Sequence, residues 1–181
     1  YIMALEVKLK NLVVETLNTE NVSKAIFGDG SENSNLDGNQ NQFIISNGYF
    51  SVAGDAQNVI FLLRGESSDD SETELFLNGS NARFVLEDDT SYFFNCQFIG
   101  RAQNGDTVVM HVNGGAKRGS GANTVSLLGT PHVHIIQDEI GVGDIQFSVN
   151  ISNGSLKFHA VGKAATNIRW LGKVDLSQLK Y

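Results

Sequence analysis

From Phe43 onward the chain is cut into short apolar runs separated by turn residues: FIIS, YFSVA, NVIFLLR, TELFL, ARFVLE, SYFFNCQFIG, TVVMHV, TVSLLG, HVHIIQ, DIQFSVNI, SLKFHAV and NIRWLGKV. None of these keeps helical spacing over ten residues, and several alternate strictly. Val108, Met110 and Val112 oppose Val109 and His111; Ile145, Phe147, Val149 and Ile151 oppose Gln146, Ser148 and Asn150. A period of two with a polar second face means one side buried and one wet, the habit of antiparallel sheets. The breaks are turns: Asn78-Gly79, Asn104-Gly105-Asp106 and Asn153-Gly154 suit the positive φ of tight hairpins. With 19 glycines against one proline, the chain reverses by positive-φ residues. About ten strands at this spacing predict an all-β fold, an antiparallel β-sandwich of jelly-roll-like form.

The N-terminal part is less regular. In ALEVKLKNLVVETLNTENVSKAIF, Leu5, Val7 and Leu9 alternate as in a strand, whereas Val22, Ala25 and Ile26 have helical spacing. A strand followed by one or two helical turns, closed at Gly28, is the expectation. The stretch GDGSENSNLDGNQNQ, residues 28–42, holds a single apolar residue, Leu36, and reads as a loop or linker. Residues 1–42 thus form an N-terminal segment with a polar linker, and 43–181 the β-sandwich domain. The start lacks the apolar core of a signal peptide, and Met3-Ala4 reads as a translation start to which Tyr1-Ile2 are extraneous.

Charge and cysteine content narrow the function classes. The net charge is −7 and the basic residues are scattered, so nucleic acid is not the expected partner. No run reaches the roughly 18 apolar residues of a membrane helix, and no membrane insertion is expected. Cys96 is the single cysteine and cannot form an intrachain disulfide. Its place in FFNCQF, on one parity with Phe94 and Phe98, reads as a small buried hydrophobe.

The stretch NGSLKFHAVGKAATNIRWLGKVDL, residues 153–176, reads as two strands joined by the polar turn GKAATN. Leu156, Phe158 and Ala160 share a face; Ile168, Trp170 and Val174 share another, with Gly172 between. Arg169 and Lys173 have the parity of a wet face, which places Trp170 in the core. Three features of this half carry a resemblance: a strand leading into a basic Gly turn, VVMHVNGGAKRGSGANTVSLLG (108–129); a strand ending in polar residues before a Gly turn, DIQFSVNISNGSLKFHAVG (144–162); and the ending NIRWLGKVDLSQL. Residues from about 91 to 176 resemble a C-terminal β-domain of tail-fibre and other virion structural proteins of tailed bacteriophages. The resemblance implies a compact β-fold that works as a homotrimer on a virion and is no enzyme. The first 90 residues carry no such likeness. The HVHII segment departs from the pattern, and the chain is short for a whole fibre.

Few residues combine into chemistry. His132 and His134, at i and i+2 on a strand, share a face and could share a metal, with Asp138 and Glu139 as oxygen donors. The plainer reading points both histidines outward and buries Val133 and Ile135. Asp29, Ser31 and Asn33 partly match a calcium loop, but Ser34 stands where glycine is required and Gln40 where a bidentate Glu is required. The run ESSDDSETE, residues 66–74, reads as an acidic surface loop. The pairs Asp69-Asp70, Asp88-Asp89 and Asp138-Glu139 are adjacent in sequence, so their side chains diverge, unlike the facing acids of glycosidases. Ser120 lacks the strand-turn-helix setting of a nucleophile elbow, and no glycine loop precedes a helix. No catalytic residue and no cofactor is expected.

The function expected is therefore that of a bacteriophage virion structural protein, a trimeric domain of tail-fibre or receptor-binding type attached through its N-terminal segment. The partners expected are two further copies, other capsid or tail proteins, and a host-surface glycan or receptor met by loops 28–42 and 65–73. A capsid decoration or head-fibre role competes with it. A carbohydrate-binding module is a third reading, for which Tyr49, Tyr92 or Trp170 would have to form an exposed platform.

Overall fold

A computed structural model describes residues 8–9, 12–13, 24–28, 42–46, 48–121, 123–142, 145–150 and 153–181. Its strands are β1 (Lys8–Leu9), β2 (Leu12–Val13), β3 (Lys24–Gly28), β4 (Gln42–Ser46), β5 (Ala56–Ser67), β6 (Glu72–Leu75), β7 (Thr90–Ala102), β8 (Thr107–Arg118), β9 (Val125–Leu127), β10 (His132–Asp138), β11 (Ile145–Asn150), β12 (Ser155–Val161) and β13 (Ile168–Lys180). No helix occurs among the described residues. The protein is an all-β antiparallel sandwich with unequal layers. An eight-stranded sheet runs β10-β8-β7-β13-β5-β4-β3, with β9 also paired to β8, and a three-stranded sheet runs β11-β12-β6. β1 and β2 form a separate antiparallel pair. Every ladder is antiparallel except β3 with β4.

One expectation of the N-terminal part needs correction. Ala25 and Ile26 lie not in a helical turn but in strand β3, in parallel register with Phe43 and Ile44 of β4. Val22, and the calcium-like residues Asp29, Ser31 and Asn33, lie outside the described residues. The ending forms the two strands and the polar turn expected of it. β12 and β13 are consecutive but are not a hairpin: β12 pairs with β11 and β6, whereas β13 pairs with β5 and β7. Residues 162–167, pinched by a bridge between Lys163 and Thr166, carry the chain from one layer to the other. Two apolar faces can be buried by lying side by side over one core or by facing each other across it. Here they face each other.

The core lies between the layers and follows the alternation. On β7 the buried residues are Tyr92, Phe94, Cys96 and Phe98; on β13, Ile168, Trp170, Val174 and Leu176; on β8, Val108, Met110 and Val112. From the small sheet Phe158 meets Phe94 edge-on at 6.4 Å and Phe98 at 6.3 Å between ring centroids. Contacts of this kind add to the area term, itself ~2–3 kcal/mol for a fully buried phenylalanine. Three large rings need a glycine beside them. Trp170 pairs with Gly100, Phe98 with Gly172, and Phe94 with Gly114. A methyl on Gly100 would lie 2.7 Å from the Trp170 ring, and one on Gly114 would lie 2.6 Å from the Phe94 ring. A ring thus lies flat over the bare backbone of the next strand, which is why a small residue follows Trp170 at i+2.

The predicted turns also form. Gly79, Gly105 and Gly154 all have positive φ, at 80°, 101° and 70°. Gly105 closes the β7–β8 hairpin. Asn78 works differently: its side-chain oxygen accepts the amides of Ser80, Asn81 and Ala82, so the loop after β6 is organised by a side chain. The basic turn after β8 has a structural task. The Arg118 guanidinium lies against Gly154, donates to the carbonyl of Leu86 and pairs with Asp88 at 2.7 Å, tying β8 to the segment that leads into β7.

Candidate interaction surfaces

The outward side of the eight-stranded sheet is the largest surface these elements build. Its ladders are in register, so outward residues line up in rows. One row runs Arg64, Leu171, Ile99, Val109, with Ile136 at its end on β10. Leu171 is 45% exposed, Ile99 43% and Ile136 58%. Together with Gln97, His111 and Lys173 they line a shallow depression of about 500 Å³ with almost wholly apolar walls. A second belt holds Phe93, 54% exposed, with Leu128 beside it across Gly115 and Ile45 toward the far edge. Polar side chains set among these rows bond to one another. Asn58 donates to Asp175 at 2.6 Å, and His111 pairs with Asn95.

Sequence pattern carries a signal for the belts that the alternation analysis passed over. Neighbouring residues in a strand point to opposite faces. Adjacent apolar pairs such as Leu62-Leu63 and Phe93-Phe94 therefore put one residue inside and one outside. Leu63 and Phe94 are core, while Leu62 is 55% exposed.

The histidine pair lies at the margin of this surface. His132 stands opposite Asn113 and His134 opposite His111, both histidines exposed. Among the described residues no three His, Cys, Asp or Glu side chains are grouped to hold a metal. Asp138 is engaged by the amides of Ile140, Gly141 and Val142, and Glu139 by that of Thr107. Val133 packs on the core as the plainer reading holds, but Ile135 is 41% exposed. Ile135, opposite Met110, keeps the parity of Val133 but stays exposed on the edge strand, and a bulge between Ile135 and Gln137 leaves Ile136 outside the ladder.

At one end of the sheet the loop of residues 48–55 holds up Tyr49, Phe50 and Val52, all exposed. The buried Asp55 carboxylate fixes this loop by accepting the amides of Phe50, Ser51 and Val52 at 2.6–2.9 Å. Burial alone would raise its pKa. The amide bonds from Val52, Ser51 and Phe50, with the Ser51 hydroxyl, outweigh that and hold it at about 2. Behind the loop Gln57 donates to Gln178, which donates to the carbonyl of Gly54.

At the opposite end a polar groove of about 840 Å³ opens over the ends of β5, β7 and β13. Glu66, Arg169 and Arg101 form its outermost row across those strands. Of the acidic run 66–74, read as a surface loop, only residues 68–71 form an exposed loop; Glu66 and Ser67 end β5 and Glu72–Glu74 lie in β6. Ser71 holds the Asp69 carboxyl below its ordinary pKa.

Other candidates have structural places. Cys96 is buried and its thiol is pushed well up by burial, with the Asp175 charge adding to it, so it is an inert core residue. Trp170 is buried and donates to the Ser67 hydroxyl at 3.0 Å; Tyr92 is buried and its hydroxyl accepts the Glu87 amide. Of the three aromatics a sugar platform would draw on, only Tyr49 is exposed. Asp88 serves Arg118, and Ser120 lies in an exposed loop closed by Thr124 on the carbonyls of Gly119 and Gly121.

No protein family model and no curated protein matches the chain. Among solved structures, it is similar to the tailspike protein gp49 of Acinetobacter baumannii bacteriophage Fri1, a capsular polysaccharide depolymerase. Identity is 11% and the TM-score 0.37, over 68% of this chain and 18% of that one. The chain thus spans less than a fifth of the tailspike's length.

Proposed function

We propose that the chain is a virion structural protein of a tailed bacteriophage, a β-domain of tail-fibre or receptor-binding type that acts as a homotrimer and is held on the particle by its N-terminal segment. The observation that carries this is the outward face of the eight-stranded sheet. A single copy leaves Leu62, Phe93, Ile99, Ile136 and Leu171 in water on one side of one sheet, an arrangement typical of a surface that another chain covers. The exposed apolar side chains supply area, and the polar ones set among them supply a register. The sequence likeness of residues 91–176 to virion β-domains supports the same reading.

Light scattering on the purified chain tests it. The expected mass is that of three copies of the 19.6-kDa chain. Phe93→Glu together with Leu171→Glu should give a monomer with an unaltered β-sheet spectrum, since both side chains are outside the core. A wild-type monomer at micromolar concentration would refute the trimer.

A further inference from the structure

The groove at the end of β5, β7 and β13 combines charge and hydrogen-bonding groups, several of which have no partner among the described residues. Arg101 and Arg169 are direct cross-strand partners, with Cβ atoms ~5 Å apart in such a pair. Like charges so placed repel. Only one is answered: Arg169 donates through Nε to Glu66 at 2.8 Å, whereas among the described residues Arg101 has neither a hydrogen bond nor an ion pair. The row therefore carries an excess positive charge on a chain whose net charge is −7.

The groove beside it is polar, with Ser68, Gln103 and Asn167 in its walls. Their side chains also lack partners among the described residues. The floor is fixed, for Trp170 holds Ser67 from below and the Gln103 amide donates to the Asn167 carbonyl at 3.1 Å. Folding gains nothing from two adjacent guanidinium groups and three idle polar side chains over a rigid floor.

We propose that this groove binds a saccharide bearing a carboxylate, a uronic-acid residue within a glycan. A guanidinium presents a planar fork of donors that matches a carboxylate in two parallel bonds. Amide and hydroxyl side chains both donate and accept, as sugar hydroxyls do, whereas the carboxylate side chains of an acidic peptide only accept. Glu66 tunes the charge. It leaves the row with one excess positive charge, the complement of a single carboxylate. At about 840 Å³ the groove has the size of a small-molecule site. The proposal rests on the receptor-binding reading for its biological setting, but the binding itself needs no particle.

The test is calorimetry and saturation-transfer NMR of the full chain with tetragalacturonate, its methyl ester, a tetraglutamate peptide and inorganic phosphate. Tetragalacturonate should bind, and both the methyl ester and Arg101→Gln should weaken binding at least tenfold. Arg101→Lys should recover only part of it, because a point charge replaces a fork. Absence of binding, equal binding of the ester, indifference to Arg101→Gln, or tighter binding of tetraglutamate or phosphate would overturn it. Arg101 is exposed, so each variant is checked for an unchanged melting temperature and unchanged mass. Loss of sugar binding with the trimer intact would refute this inference alone; a monomer that still bound the sugar would refute only the trimer.

Discussion

The two faces of the eight-stranded sheet are made from the same strands, yet they obey different rules. On the inner face three large rings are matched to gaps: Trp170 to Gly100, Phe98 to Gly172, Phe94 to Gly114. On the outer face exposed apolar side chains such as Leu171, Ile99 and Phe93 stand in rows, and polar ones such as Asn58 with Asp175 and Arg169 with Glu66 bond to each other. Inner positions are constrained by volume and outer ones by what approaches from outside. The difference separates residues that make the fold from residues available for function.

The largest effects belong to the inner face. Phe158→Ala empties the contact between the small sheet and both Phe94 and Phe98. It should cost ~3–5 kcal/mol, read from urea unfolding as a lower midpoint with an unchanged slope. A loss under 1 kcal/mol would mean the layers are held together elsewhere.

Overpacking comes next. Gly100→Val would drive its side chain into the Trp170 ring, where even a methyl meets it at 2.7 Å. The expected cost is ~1–3 kcal/mol with a red-shifted Trp170 emission. The same substitution at Gly105, in the exposed part of the hairpin, would act through its positive φ alone and leave the emission untouched.

The loop of residues 48–55 gives a pH signature at the edge between the faces. The Asp55 pKa is about 2 against an ordinary 3.8. A depressed carboxylate pKa stabilises the fold fully above the unfolded value, and that stability is lost as pH falls through the folded one. Asp55→Asn should therefore melt lower than the wild type at neutral pH. The gap should stay constant down to about pH 4 and close on approach to pH 2. A gap that persists at pH 2 would assign the effect to packing and not to charge.

How much of this could be read from the chain follows from the physics of each feature. The strands and the buried parity of Val108, Met110 and Val112 were legible because alternation is local. The Asn-Gly turns were legible because positive φ selects few residues. Trp170 fell to the core because Arg169 and Lys173 mark the wet side. The crossover between β12 and β13 was not legible, since the same alternation serves a hairpin and a pair of strands facing across a core. The bulge at Ile136 was hidden for a related reason: one inserted residue reverses parity without altering composition. The groove was beyond local reading altogether. Glu66, Arg101 and Arg169 are brought together only by the order β7-β13-β5.

The smallest effect on stability tests the contrast at the outer face. Arg169 and Glu66 form an ion pair with side chains 84% and 69% exposed. Such pairs contribute ~0–1 kcal/mol, because water screens the attraction and ordering two long side chains opposes it. Glu66→Gln should accordingly leave the unfolding midpoint almost unmoved. It should also free Arg169 beside Arg101 and raise the excess charge of the groove by one. If the groove takes a carboxylate, tetragalacturonate should then bind more tightly, and the gain should shrink as salt is added. A clear fall in stability with no change in binding would show that the row of Glu66, Arg169 and Arg101 belongs to the fold, as the inner face does, and the contrast between the faces would fail at that end of the sheet.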